Sequence, residues 1–162
     1  MKNYPKLFIP GPTYVPNHVM QSLATKQIGH RTPEFSTLMS SIVKGVQKLL
    51  YTNNKVFLAS HSATGLWEMS IRNSVKNGIL HTVNGSFSSK WADVSKKCGY
   101  DVEVLDYEWG KGVKVEDVDR LLSKGKMDVF AMVHNETSTG VMSPLEPIAE
   151  LLKSKYPDVI WL

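Results

Sequence analysis

Apolar residues in this chain follow two rhythms. In PEFSTLMSSIVKGVQKLLY, Phe35, Leu38, Met39, Ile42, Val43, Val46, Leu49 and Leu50 recur at steps of three and four. That spacing predicts one face of a helix, and Pro33 suits its first turn. From residue 55 the pattern changes to short apolar runs separated by helical stretches. KVFLAS (Lys55 to Ser60), ILHTVN, DVEVLDY and MDVFAMV predict buried strands, and DVIWL (Asp158 to Leu162) predicts one more. Between them, Ala63 to Lys76, SSKWADVSKKCG, VEDVDRLLSKG and SPLEPIAELLKSKY predict helices. Gly99 and Gly125 close two of these. At the other end of the chain, the prolines of PGPTYVP forbid a helix and predict an extended arm, with a short helix from Asn17.

Strand and helix alternating through short connections predict an α/β fold, a three-layer α/β/α arrangement whose mostly parallel sheet is joined by right-handed crossovers. Such sheets bind ligands at the C-terminal ends of their strands. The loops of interest therefore follow Ser60, Asn84, Tyr107 and Val133. The sequence stops inside the apolar run of its last strand, so the chain is expected to be an N-terminal portion of something larger.

A length of 162 residues suffices for one domain with a real core. The formal charge of +4 arises from 19 basic and 15 acidic residues. Its lysines are scattered in singles and pairs, whereas a nucleic-acid surface clusters them, so no nucleic-acid partner is expected. A lone cysteine, Cys98, excludes an intrachain disulfide. Neither a signal peptide nor a membrane span is apparent, which suggests a soluble cytoplasmic protein. No metal site is expected.

Three loops then carry candidate chemistry. SHSATG (Ser60 to Gly65) opens a helix, whose free N–H groups and partial positive charge suit a phosphate, with the hydroxyls of Ser62 and Thr64 as further donors. An ordinary N-cap at Ser62 would explain the same residues. VNGSFSSKW places Phe87 outside the periodic core positions, where its face can stack on a planar ring or simply cover the helix end. HNETSTG crowds Thr137, Ser138 and Thr139 at the end of a core strand. Turn chemistry accounts for Gly140 and one hydroxyl, not for the whole cluster. A phosphate seat, a stacking ring and a hydroxyl donor together describe a site for a flat phosphorylated heteroaromatic. Pyridoxal 5'-phosphate fits better than a nucleotide, because GxGxxG and an acidic residue at ribose distance are both missing.

IPGPTYVP, IGHRTPEF, SATGLWEMS, VNGSFSSKW and HNETSTGVMSPL stand in an order and spacing that resemble the class V aminotransferases of pyridoxal-phosphate fold type I, nearest the serine/alanine–pyruvate/glyoxylate branch. The resemblance covers essentially the whole chain. It implies a truncated large domain, with residues 1–20 as an N-terminal arm and 21–162 as the first part of the cofactor-binding domain, the C-terminal domain being absent. It further implies phosphate binding by Ser62, Ala63 and Thr64, ring stacking by Phe87, and a contact from Thr137 to the cofactor's phenolic oxygen. Pro10, Gly11 and Pro12 match the segment lining the substrate entrance. Arg31, in the His30–Arg31 pair, is either a substrate-carboxylate contact or a structural ion pair. Family members are homodimers acting on small amino acids and 2-oxo acids.

The family's ring-nitrogen aspartate, cofactor-bearing lysine and substrate-binding C-terminal arginine match no position here, so these 162 residues alone are expected to be inactive. Phe87 and HNETSTG argue against a cysteine desulfurase, which stacks a histidine. A phosphonate- or phosphoserine-type aminotransferase, and a non-catalytic cofactor-binding or scaffold fragment, remain as alternatives.

Overall fold

The computed structural model describes residues 5–162; the first four residues of the expected N-terminal arm lie outside them. The chain divides into two compact units, one running to Leu58 and the other spanning Ala59–Leu162.

In the first unit, the proline-rich stretch before Asn17 is irregular, as its fixed φ angles and missing N–H donors require. Two helices follow, α1 (Asn17–Ser22) and α2 (Pro33–Leu49). Thr32 caps α2, its hydroxyl oxygen accepting from the Phe35 amide at 3.3 Å, and Pro33 fills the first helical position where no N–H is needed. The strand expected over Lys55 to Ser60 does not form. An apolar run becomes a strand only when a neighbour's N–H and C=O groups pair with it. Among the described residues this segment has no ladder partner, and Phe57 stays 82% exposed.

The second unit contains α3 (Ala63–Ser74), β1 (Gly78–Val83), α4 (Ser86–Lys97), β2 (Asp101–Asp106), α5 (Val115–Leu122), β3 (Val129–Ala131), β4 (Asn135–Glu136), β5 (Val141–Met142), α6 (Leu145–Lys155) and β6 (Ile160–Trp161). Four strands form a parallel sheet in the order β2-β1-β3-β6. β1 pairs with β2 from Gly78↔Asp101 to Val83↔Asp106, and with β3 from Ile79↔Val129 to His81↔Ala131. Every residue of β1 is buried, as expected of a strand flanked on both edges and covered on both faces.

Alternation along the strands builds two cores. Leu80, Leu105, Phe130 and Met132 pack with Val118, Leu121 and Leu122 of α5 and Ile148 and Leu152 of α6. Ile79, Val129 and Ala131 point the other way, onto Ile71 of α3 and Trp91 of α4. These are the three layers of an α/β/α fold. Asp128 secures the start of the sheet, its carboxylate accepting from the amides of Lys76, Asn77 and Gly78 at 2.9–3.0 Å. Gly99 and Gly125 take left-handed conformations, with φ of 86° and 68°, just past α4 and α5.

The ladder of β3 is shorter than its apolar run, because pairing with β1 stops at Ala131. The chain then folds into an antiparallel ribbon, Asn135↔Met142 and Glu136↔Val141, which the hydrophobic pattern does not announce. Two-residue strands are too short for any periodicity to appear. Among the described residues, no helix is long and apolar enough to cross a membrane.

Candidate functional site

The N-termini of α3 and α4 bear on the loops at the C-terminal edge of the sheet. α4 begins where β1 ends, and α3 precedes β1. Trp67 of α3 stacks on Trp91 of α4, with ring centroids 5.6 Å apart. Each tryptophan lies four residues, about 6 Å of helical rise, beyond Ala63 and Phe87 respectively. The tryptophan stack thus packs α3 directly against α4.

The two N-termini differ in how they are satisfied. Gly85 precedes α4 and carries no capping side chain, yet the helix start is fully engaged. Glu136 reaches it from β4: one carboxylate oxygen accepts from the Ser88 amide at 2.9 Å and the Ser88 hydroxyl at 2.8 Å. The other accepts from the Phe87 amide at 3.3 Å, the Ser138 amide at 3.2 Å and the Ser138 hydroxyl at 2.6 Å. Glu136 is 0% exposed. Burial by itself raises the pKa of this carboxyl, but the donors from Ser138, Ser88 and Phe87 outweigh it and hold the value down at about 2. The Ser88 hydroxyl has one proton and several acceptors within reach; the ionised carboxylate, nearest and charged, takes it. Its oxygen in turn accepts from the amides of Asn84 and Gly85. Asn84, buried at the end of β1, donates to the Lys111 carbonyl at 3.1 Å, which ties in the loop after Tyr107.

At α3 the arrangement is the reverse. Ser62 occupies the N-cap position in extended conformation but makes no side-chain capping bond. The cap that would have explained this serine without a ligand is not formed. Among the described residues the Ala63 and Thr64 amides that open α3 have no hydrogen-bond partner, while the Gly65 amide donates to the Ser62 carbonyl at 3.0 Å; Ser62 and Ala63 are exposed, with Thr64 half-buried beside them. Gly65 does not open the backbone to a ligand, contrary to the role its lack of a side chain suggests. The space a Cβ would enter holds the His61 ring, with Nδ1 at 2.6 Å.

The hydroxyls of HNETSTG also separate. Ser138 is committed, donating to Glu136 and accepting from the Ser86 amide at 2.9 Å. Thr139 bonds back to the Glu136 carbonyl. Thr137, between Glu136 and Ser138, is exposed. Phe87 is 45% exposed. Ser62, Ala63, Thr64, Phe87 and Thr137 all lie within the second unit. Gly11, Pro12 and Arg31 belong to the first unit, where all three are exposed. Cys98 is the half-buried residue that ends α4 and packs against the second core.

These residues suit pyridoxal phosphate. Free helix amides and two hydroxyls are the donor set a phosphate takes, and the neighbouring N-terminus of α4 is already filled by a carboxylate, while α5 and α6 begin without a serine or threonine at the cap. An uncommitted hydroxyl on Thr137 and the partly exposed face of Phe87 are groups of the kind a phenolic pyridine ring would contact.

From sequence alone Asn84–Gly85 reads as a tight turn at the strand's end and Glu136 as a residue that shapes its loop; the structure corrects the first reading and adds to the second. Gly85 is extended, with φ 174°, so its role is close approach and not turn geometry. A Cβ there would lie 2.5 Å from Glu136 Cδ and 2.6 Å from Ser138 Oγ. The available signal was a helix start without a capping side chain, paired with an acidic residue at the end of another strand.

Residues 7–161 match the family described as class-V aminotransferases. The chain is 34% identical over 163 residues to an L-aspartate–glyoxylate aminotransferase of Paracoccus denitrificans, covering 96% of this chain and 41% of that protein. Identity is also 34% with a serine–glyoxylate aminotransferase of Methylorubrum extorquens, over 96% of this chain and 40% of that one. The crystal structure of an alanine–glyoxylate aminotransferase from Nostoc sp. superposes with a TM-score of 0.82 at 31% identity, covering 89% of this chain and 39% of that chain. The chain thus spans about two fifths of the length of the relatives it matches.

Proposed function

This chain belongs to the class V aminotransferase family, and on that premise we propose that the whole protein is a pyridoxal-phosphate-dependent aminotransferase. It moves an amino group from a small amino acid, serine or alanine, to a 2-oxo acid, pyruvate or glyoxylate. The names of the relatives share glyoxylate, which supports that acceptor. The observation carrying the reading is the contrast between the starts of α3 and α4: α4 is closed by Glu136, while α3 keeps the Ala63 and Thr64 amides and the Ser62 hydroxyl free.

In this proposal Ser62, Ala63 and Thr64 bind the cofactor's phosphate. Phe87 covers one face of the ring and fixes its plane, and Thr137 donates a hydrogen bond to the phenolic oxygen. Gly11 and Pro12 line the substrate entrance, and Arg31 meets the substrate carboxylate. The bound cofactor supplies the electron sink that amino transfer requires. No proton transfer is assigned to a residue of this chain. The protein acts as a cytoplasmic homodimer.

The test has two arms. The whole protein, given pyridoxal phosphate, serine or alanine, and glyoxylate or pyruvate, is expected to form the matching 2-oxo acid and amino acid. The 162-residue chain alone is expected to give no visible absorption band of lysine-bound cofactor, and protein carrying the relatives' remaining length to give one. A longer protein showing neither the band nor transfer overturns the proposal.

A further inference from the structure

We propose that Glu136 is a positioning residue for the cofactor ring, fastening the turn that presents Phe87 to the ribbon that presents Thr137 so that both ring contacts are set by one buried group. This rests on the reading of Phe87 and Thr137 given above. The carboxylate is bonded to Phe87 itself through the backbone amide. On the other side, Thr137 sits between the two residues of the tightest bond in the cluster, Glu136 and Ser138 at 2.6 Å. A second stitch, from the Ser86 amide to the Ser138 hydroxyl, joins the same two segments.

A purely local role does not account for this construction. A Ser, Thr or Asp at position 85 would cap α4 from its own chain segment. Instead that position is glycine, and the acceptor arrives from 48 and 49 residues further along. A local cap stabilises α4 equally well but leaves the ribbon free to shift against it. The five donors are all neutral amides and hydroxyls, so the buried charge is compensated by dipoles whose directions are fixed. Such a cluster tolerates little displacement, and its members move together or not at all.

The chemistry explains why a carboxylate is used. Five donors converge on two oxygens, and only an ionised carboxylate accepts at both. Glu136→Gln turns one of those oxygens into a donor facing other donors, at almost unchanged volume. The phosphate seat on α3 takes no part in this cluster, so the proposal separates ring orientation from phosphate affinity.

The experiment compares the whole protein with its Glu136→Gln variant, using pyridoxal phosphate and inorganic phosphate as probes. Expected is a loss of about tenfold or more in pyridoxal phosphate affinity, with a diminished circular dichroism band of the bound cofactor and unchanged competition by inorganic phosphate. Should the glutamine variant fail to fold, Ser138→Ala, which removes the side-chain stitches and leaves the carboxylate, is expected to show the same loss in milder form. A folded variant that keeps wild-type cofactor affinity and dichroism, with only a lower melting temperature, overturns the positioning role and leaves the aminotransferase reading standing. Wild-type protein that binds no pyridoxal phosphate overturns both.

Discussion

At the scale of single residues, the site depends on what is missing as much as on what is present. Gly85 lacks a side chain because Glu136 occupies its space. Gly85→Ala is expected to destabilise the protein by about 1–3 kcal/mol, the range for overpacking. The measurement is denaturant unfolding of Gly85→Ala, Glu136→Ala and the double variant. Because the methyl group then enters space the shorter side chain vacates, the double variant is expected to be more stable than additivity predicts. Strict additivity would show that the two residues do not meet. Thr137 and Ser138 make the complementary point: both residues are exposed, but the Ser138 hydroxyl is consumed by Glu136 and that of Thr137 is not. Residue type and spacing do not distinguish them, since only the direction of each Cα–Cβ bond in the folded ribbon decides.

At the scale of elements, α3 and α4 are similar amphipathic helices with opposite N-terminal states. The free start of α3 is a local loss of stability that a cap would remove. Ser62→Asp is expected to raise stability by about 0.5–1 kcal/mol, through the cap and its charge at the positive end of the helix. If the proposed phosphate seat is right, the same change abolishes pyridoxal phosphate binding, because the carboxylate would fill that seat and repel the phosphate. Thermal melts and cofactor titration of this variant check both halves; binding that survives intact would show that α3 does not hold the phosphate. Elements themselves were largely legible in the sequence. β1 is legible from Ile79, Leu80 and Val83 although the buried His81 and Thr82 interrupt them, and Gly99 and Gly125 marked helix ends. The failures share a cause. Lys55 to Ser60 has the composition of a strand but no partner, and β4 and β5 have partners but too little length to show a pattern.

At the scale of the whole molecule, two buried titratable groups shape the response to acid. Burial pushes the His81 imidazole, hydrogen-bonded to Ser95 and edge-on to Trp91, down to about 4, with the Lys96 charge adding to the effect. A histidine held neutral in the fold binds its proton more readily when unfolded. Its contribution is complete above pH 6.5 and is lost as pH falls towards about 4. Glu136 follows at lower pH: its stabilisation is complete above about 4.5 and disappears as pH falls towards about 2. Each shift corresponds to a contribution on the order of 3 kcal/mol. Urea midpoints followed by tryptophan fluorescence are expected to fall in both windows, and His81→Gln to flatten the upper one alone. A flat profile from pH 6.5 to 4 in the wild type would contradict the burial argument.

The sequence by itself determined the layered α/β architecture, the parallel sheet and the loops at its C-terminal edge, because periodicity and glycine punctuation are local properties that each segment carries alone. It also gave the order of motifs that marks the family. Only the tertiary structure decided which helix end stays free, which hydroxyl is left for a ligand, and why position 85 must be glycine. Those answers depend on a carboxylate crossing 48 residues of chain to reach α4, and no local pattern records a contact at that range.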